Sequence, residues 1–391
     1  MRRGWFLAVL LVGCNGGNGG DDASPPDLAL GPPSQKTAVD ILFVLGNEPS
    51  PSGHFQLIAR FPDLFNALQA SGPSHPVSYH IGVITPDLGA AQFVLGGGQC
   101  HPGGDGAKLI AVGPAADVTC MPPTGGVPFI DYDQVNGTNN LPSGQSFATT
   151  FGCMAATGDR GCGFQQHLEA AYQALHDPIP ENAGFLRDDA LLVVLFQSDK
   201  DDCSMPSDSD LPDPSPAGVS KYGPLLSFRC VQFGTECGQP PMTLPYAPSN
   251  GDLSPCQGAD PSVSPLFPVS KYVDYFTLPS SMGGVKADPR DVILAGITPP
   301  AAPFEIIAAN SNPNPPGPYV TCPPPYDGIH CAIVVQHSCI APSNTQFFGD
   351  PAVRIRQVID STFSPQETST CDTSYQAAMQ SLGQLIVSRV Q

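Results

Sequence analysis

Residues 190–196 read ALLVVLF, the most apolar segment beyond residue 14, and they decide the fold. A run of this kind, with no polar alternation, predicts a strand buried on both faces of a parallel sheet. Three further segments have a similar character: VDILFVL at 39–45, SYHIGVIT at 78–85 and DVILAGI at 291–297. We therefore predict a mostly parallel sheet with residues 190–196 at its centre.

Amphipathic segments alternate with these strands. Between the first two strands, apolar residues recur at three- and four-residue steps over 54–70, and Pro62 is predicted to start a second helical piece or to kink the first. Further helices are predicted over 164–175, 272–278 and 375–387. Strands that alternate with helices predict a doubly wound α/β fold.

Two loops follow buried strands at the predicted carboxyl edge of this sheet, at 46–52 and 197–202. Ligands of doubly wound proteins bind at this edge, so these loops are the first candidates for a site. We predict one domain over 38–391. The stretches rich in Gly and Pro within it are insertions at about 86–159 and 204–268 and a Pro-rich loop at about 299–325, and an edge strand is predicted at 332–336.

The first fourteen residues have the pattern of an export signal. Two arginines precede an apolar run at 5–12, which is too short to span a bilayer. The following LVGC at 11–14 resembles the lipobox of bacterial lipoproteins, in which the cysteine is acylated and becomes the mature N-terminus. The resemblance implies an exported chain, held to the cell envelope by a lipid on Cys14, with residues 15–37 as a flexible tether. An ordinary secretory peptide that contains a cysteine is the alternative.

The other cysteines predict disulfides. Thirteen cysteines less Cys14 leave twelve, an even number, and no two have the C-x-x-C spacing of a zinc site. Near neighbours such as Cys153 with Cys162, or Cys230 with Cys237, are plausible pairs, although spacing does not determine connectivity. The twelve are Cys100, Cys120, Cys153, Cys162, Cys203, Cys230, Cys237, Cys256, Cys322, Cys331, Cys339 and Cys371.

Composition restricts the class of partner. The chain has 16 Lys plus Arg, 35 Asp plus Glu and a formal net charge of −19. Nucleic acid requires a basic surface, so it is excluded as a partner, and contact with a membrane is expected through the lipid anchor only. Negative charge suits divalent cations or basic partners, or it serves solubility alone.

The segments around the predicted carboxyl edge resemble the von Willebrand factor type A (vWA) domain, and more narrowly a group of exported bacterial lipoproteins built on it. The similar segments are VDILFVLGN at 39–47, YHIGVITPDLG at 79–89, TGDRGCGFQQHLEA at 157–170 and NAGFLRDDALLVVLFQSDKDDCS at 182–204, with weaker similarity in YGPLLSFRCVQFG at 222–234 and KYVDYF at 271–276. The resemblance implies an α/β core that binds a protein or surface ligand.

The resemblance also implies a metal-ion-dependent adhesion site at the carboxyl edge. In the family this site has an Asp-x-Ser-x-Ser loop, a later Thr and an Asp after the central strand. By position, Gly46 replaces the first Asp and Glu48 the first Ser, whereas Ser50, Thr157 and Asp199 match. The loop lacks the first carboxylate and has another one on a longer side chain. This arrangement does not suit the octahedral coordination of Mg²⁺, so we predict a degenerate site. A rebuilt site that uses Glu48, Ser50, Thr157 and Asp199 is the alternative.

A second candidate cation site is the acidic run after the central strand. Clustered carboxylates on a loop can bind Ca²⁺, which accepts irregular oxygen cages. The run lacks the spacing of an EF-hand loop, and solvated surface charge is the alternative interpretation. The candidate ligands are Asp201, Asp202, Asp208 and Asp210.

No catalytic motif is recognisable. The sequence contains neither H-E-x-x-H nor G-x-S-x-G, and no lysine follows the glycines at 96–106 in the register of a phosphate-binding loop. We therefore expect a non-enzymatic, surface-anchored binding or adhesion module for an unknown ligand. There are two alternatives. One is a structural envelope lipoprotein without metal-dependent binding, and the other is a secreted enzyme with an unrecognised site.

Overall fold

A computed structural model of the chain describes residues 34–48, 54–69, 75–238, 247–249, 251–310, 322, 331–342, 344–345 and 347–390. The predictions for Cys14, for residues 15–33 of the tether and for Ser50 lie outside the described residues.

The described strands and helices alternate along much of the chain. The strands are β1 (Ala38–Leu45), β2 (Ser78–Ile84), β3 (Ile130–Asp133), β4 (Thr138–Asn139), β5 (Leu191–Gln197), β6 (Thr235–Glu236), β7 (Gln257–Gly258), β8 (Val292–Thr298), β9 (Ile306–Ala309), β10 (Ala332–Val335), β11 (Cys339–Ile340), β12 (Phe348–Gly349) and β13 (Gln366–Ser369). The α-helices are α1 (His54–Gln69), α2 (Phe147–Ala155), α3 (His167–His176), α4 (Pro216–Tyr222), α5 (Phe228–Gly234), α6 (Val269–Thr277), α7 (Val353–Asp360) and α8 (Gln376–Arg389).

Seven strands form the central sheet, in the order β13-β8-β5-β1-β2-β3-β4. The pairs from β13 to β2 are parallel, whereas β3 and β4 extend the sheet by antiparallel pairing. Residues 190–196 lie near its centre, as predicted, because β5 pairs with both β1 and β8. The prediction of a doubly wound, mostly parallel α/β fold is confirmed.

Every side chain of β5 is buried. Because successive side chains point to opposite sides of the sheet, both faces of the strand are covered. Leu191, Val193 and Leu195 pack in a core with α1, α2 and α8. Leu192, Val194 and Phe196 pack in a second core with α3, α6 and α7. Burial of each such side chain contributes roughly 1.5–3 kcal/mol. The uninterrupted apolar run therefore matches a strand covered by helices on both faces.

Three local predictions differ from the structure. Helix α1 continues through Pro62, so this proline does not begin a second helix; the buried Phe61 and Leu64 beside it hold the helix against the sheet. Strand β10, predicted as a sheet edge, instead pairs with β9 in a separate two-stranded sheet, and β9 lies inside the predicted Pro-rich loop. Helix α3 begins at His167, three residues later than the apolar spacing indicates.

All twelve cysteines other than Cys14 form disulfides. The pairs are Cys100–Cys162, Cys120–Cys153, Cys203–Cys230, Cys237–Cys256, Cys322–Cys331 and Cys339–Cys371. Both pairings guessed from near neighbours are wrong. Cys153 on α2 faces a returning loop, where the N–H of Gly113 donates to its carbonyl oxygen at 2.8 Å. The insertion segments thus fold back on the core, and this brings together cysteines that are distant in sequence.

The disulfides indicate an extracellular or otherwise oxidising environment. In the described part of the chain, no helix combines the length and the apolar character needed to cross a membrane.

Candidate functional site

The loop after β5 carries the carboxylate that caps α7. Asp201 accepts hydrogen bonds from the backbone N–H groups of Arg354 (2.9 Å) and Ile355 (3.2 Å). These N–H groups lie in the first turn of the helix, where they have no intrahelical partner and where negative charge is stabilised by the helix dipole. Burial raises the pKa of Asp201 to about 6, although the N–H groups act in the opposite direction. Asp201 therefore fixes α7 to the carboxyl edge of the sheet.

Asp202 fixes α3 in a similar way. The N–H of Leu168 donates to Asp202 at 3.0 Å, and the N–H of Glu169 donates to the hydroxyl of Ser204 at 2.8 Å. The guanidinium of Arg354 contacts Asp202 at 3.2 Å, and both side chains are fully buried. Two helices and the loop after the central strand are joined by this ion pair.

The four residues predicted as a calcium set do not form one cluster. Asp201 and Asp202 bind helix N-termini and Arg354, as above, whereas Asp210 pairs with Lys221 at 2.6 Å and Asp208 is exposed. Within the described ranges, no group of three or more His, Cys, Asp or Glu side chains is arranged to hold a metal ion. The acidic run serves the local fold through separate contacts.

A largely buried triad of Glu48, Asp199 and Lys200 lies where the loops after β1 and β5 meet. The ammonium group of Lys200 donates to Oε2 of Glu48, and Glu48 shares a hydrogen bond with Asp199. Burial raises the pKa of Glu48 to about 8, against the effect of the Lys200 charge, and it raises the pKa of Asp199 as well. Burial acts to lower the pKa of Lys200, but the carboxylates of Glu48 and Asp199 outweigh this effect and raise it.

A further acidic residue, Asp350 in the loop before α7, contacts this triad through its backbone. The N–H of Asp350 donates to the carbonyl oxygen of Asp199 at 2.8 Å, and the charge of Asp350 acts on Lys200. Asp350 in turn contacts Nδ1 of His337 at 2.6 Å. Segments from three parts of the chain therefore converge on Lys200.

The remaining predicted metal ligands are placed differently. Thr157 is 3 % exposed, and its hydroxyl has no hydrogen-bond partner among the described residues, so no such bond joins it to Glu48 or Asp199. A Cβ at Gly46 would lie 3.5 Å from Oε1 of Gln165 and 3.6 Å from Nε2 of His167. The side chains of Gln165 and His167 thus border the space that a carboxylate at position 46 would enter.

These donors do not fit Mg²⁺, which requires near-octahedral oxygen ligands at roughly 2.0–2.1 Å. The oxygen of Glu48 that faces the triad is bound by an ammonium group, and the charge of that group opposes a second cation. The structure brings Glu48 and Asp199 together, as the carboxyl-edge argument predicts. It also places the ammonium group of Lys200 against Glu48, and the predicted ligand set did not include this lysine.

A cavity of about 140 Å³ opens beside the triad. Its lining includes polar residues, among them Lys200 and Asp350, and a group of apolar ones. The apolar lining residues are Leu226, Phe228, Val231, Val334 and Val335. The cavity is bounded by α5, which belongs to the second insertion, and by β10, which pairs with β9 outside the central sheet.

Sequence reasoning did not identify Lys200, Asp350 or Gln165 as parts of this site. Gln165 holds the loop after β1, since its Oε1 accepts from the N–H of Asn47 at 3.2 Å and its Nε2 donates to Oδ1 of the same residue at 3.2 Å. One signal was available: Lys200 is a single basic residue inside an acidic loop directly after the central strand. Nothing comparable marks Asp350.

The chain matches no protein-family model, no curated protein and no solved structure.

Proposed function

We propose that this chain is a non-enzymatic binding module of the bacterial cell envelope, exported and anchored by a lipid on Cys14, with a vWA-like core. The observation that supports it best is the cavity beside Lys200, because ligands of doubly wound proteins bind at the carboxyl edge of the sheet. Its mixed lining, polar at Lys200 and Asp350 and apolar at Phe228, is typical of binding sites. The ligand is a protein or surface component of the envelope.

The insertions supply the specificity of this module. Helix α5 contributes Phe228 and Val231 to the apolar lining, and the disulfide between Cys203 and Cys230 joins this helix to the loop after β5. Arg229 is buried within the same insertion and donates to the carbonyl oxygens of Leu211 (2.6 Å) and Gly223 (2.6 Å). A cross-linked insertion loses little conformational entropy when a ligand binds, which favours affinity.

Filling the cavity tests the proposal. Ser227 lines it and is half-buried, and we expect Ser227→Trp to weaken retention of the lipid-free chain on peptidoglycan sacculi or outer-membrane vesicles by about tenfold or more, equivalent to about 1.4 kcal/mol. The matched control is Ser281→Trp at an exposed serine, which should bind as the unmodified chain does. Retention is expected to persist in EDTA. Equal retention of both variants would favour a structural envelope protein that binds through other surfaces, and no retention on either fraction contradicts the binding function.

The anchor is tested separately. Replacing Cys14 by Ser removes the thiol that the lipobox resemblance assigns to acylation. We expect the variant to appear in the soluble fraction of a bacterial host, whereas the unmodified chain sediments with membranes and incorporates labelled palmitate. A soluble and unlabelled unmodified chain would leave an ordinary secretory peptide as the correct interpretation.

A further inference from the structure

The cavity beside the triad has the size of one side chain. Its volume is about 140 Å³. Pockets for whole small molecules usually have roughly 300–1,000 Å³, whereas an apolar cavity of about 150 Å³ holds a molecule of the size of benzene. An occupant of this size is a single group such as the side chain of Leu or Phe, and not a complete metabolite.

Each described charged residue of the lining has a partner within the chain. Lys200 contacts Glu48, and the carboxylate of Asp350 contacts Nδ1 of His337 at 2.6 Å. Asp201 accepts hydrogen bonds from the N–H groups at the start of α7. A charged group that entered the cavity would lose its hydration and would compete with these contacts for a partner. The lining therefore disfavours a charged occupant of either sign.

The apolar part of the lining is formed before a ligand arrives. Phe228, Val231 and Val335 pack in one core cluster with residues of β9 and α7. Cys203 and Cys230 also line the cavity, and because they form a disulfide they present no thiol to it. A preformed apolar pocket binds a matching side chain without first ordering its own walls, which favours affinity.

We propose that this cavity is the anchor pocket for one apolar side chain, of the size of Leu or Phe, presented by a protein partner. The inference rests on the proposed binding function and names the class of its ligand. A membrane lipid fits less well, because its acyl chain has more carbon atoms than this volume holds and the net charge of −19 repels anionic headgroups. Buried anchors of this kind carry much of the binding energy at protein interfaces.

Capped tripeptides that differ only in the central side chain test the proposal on the unmodified, lipid-free chain. We expect Gly-Phe-Gly and Gly-Leu-Gly to bind with dissociation constants in the millimolar range. Gly-Lys-Gly, Gly-Glu-Gly and Gly-Ser-Gly should bind about tenfold more weakly or not at all. Nuclear magnetic resonance measures the affinities, and the methyl signals of Val231, Val334 and Val335 should shift on binding.

A pair of matched variants locates the binding. Ser227→Trp fills the cavity and should abolish binding of Gly-Phe-Gly, whereas Ser281→Trp at an exposed serine should leave this binding unchanged. The methyl shifts of the unmodified chain locate the site even if Ser227→Trp does not fold. Protease digestion of the envelope fraction that retains the chain should remove the retention, because the partner is a protein.

The side-chain preference and the envelope-binding function can fail separately. Equal affinities for all five peptides, no binding of any, or shifts outside these methyl groups would overturn the inference, and retention that survives digestion would overturn the protein partner. If Ser227→Trp lowers retention while no peptide is preferred, the binding function stands and the side-chain preference is wrong. If the preference is found while both variants are retained equally, the preference stands and envelope binding through this cavity is wrong.

Discussion

Replacing Arg354 by Met is expected to lower the free energy of unfolding by about 3–5 kcal/mol, because it leaves the buried carboxylate of Asp202 without its partner charge. The guanidinium also donates to the carbonyl oxygens of Phe267 (2.7 Å) and Gly234 (3.4 Å). Its loss therefore leaves these two acceptors with fewer hydrogen bonds and removes two contacts between the second insertion and α7. Urea denaturation, monitored by far-UV circular dichroism, measures the change in the free energy of unfolding.

Arg160→Met is the matched control, since Arg160 is exposed and its loss should change the free energy of unfolding by less than about 0.5 kcal/mol. Asp202→Asn in the Arg354→Met background should recover part of the loss, because the neutral amide needs no counter-charge. If the two arginine variants were equally stable, the Arg354–Asp202 pair would not support the fold.

The strands could be predicted from sequence because their pattern reflects burial on two faces. Strand β5 and strand β8 are buried at every position, and apolar runs of that kind have few alternatives in an α/β chain. The start of α3 could not be predicted in the same way. Its first N–H groups are bound by Asp202 and Ser204, which lie more than thirty residues later in the sequence. Capping from a distant loop leaves no local signal.

The connectivity of the disulfides could not be predicted for a similar reason: it depends on contacts between segments that are distant in sequence. Cysteine count and compartment predict that the cysteines are paired, but pairing depends on where the insertions return to the core. Cys162 meets Cys100 because Gln99 donates to the carbonyl oxygen of Gly161 at 2.9 Å, which holds the two loops together. Separation in sequence was therefore a poor guide, since this pair lies 62 residues apart.

At the candidate site, topology was predictable and side-chain chemistry was not. The carboxyl edge of the sheet had to bring the loops after β1 and β5 together, and Glu48 and Asp199 do meet there. Lys200 has a long, flexible side chain, and its neighbours in sequence do not indicate whether it points to solvent or to Glu48. The resemblance to vWA domains predicts metal ligands at this edge, whereas the charged partner of Glu48 in the structure is Lys200, which the predicted ligand set did not include.

Stability is expected to fall between pH 6 and pH 8 because Glu48 holds a proton in the folded chain that it loses on unfolding. Burial raises the pKa of Glu48 from 4.5 to about 8, so the folded state binds more protons than the unfolded state throughout this range. The contribution is fully present below the unfolded pKa and is lost as the pH rises through the folded one. The pKa of Asp201, raised to about 6, also makes stability fall as the pH rises, mainly below pH 6.

Glu48→Gln separates this contribution from all others. The amide can donate to Asp199 and accept from Lys200 as the protonated acid does, but it does not titrate. We expect the unmodified chain to lose about 1–2 kcal/mol more than Glu48→Gln between pH 6 and pH 8, within the limit of about 1.4 kcal/mol per pH unit for one proton. Urea denaturation at pH 6, 7 and 8 measures the difference. Glu181→Gln, at an exposed carboxylate paired with Lys108, should follow the unmodified chain. Parallel pH profiles for Glu48→Gln and the unmodified chain would mean that Glu48 is already ionised beside Lys200 at pH 6.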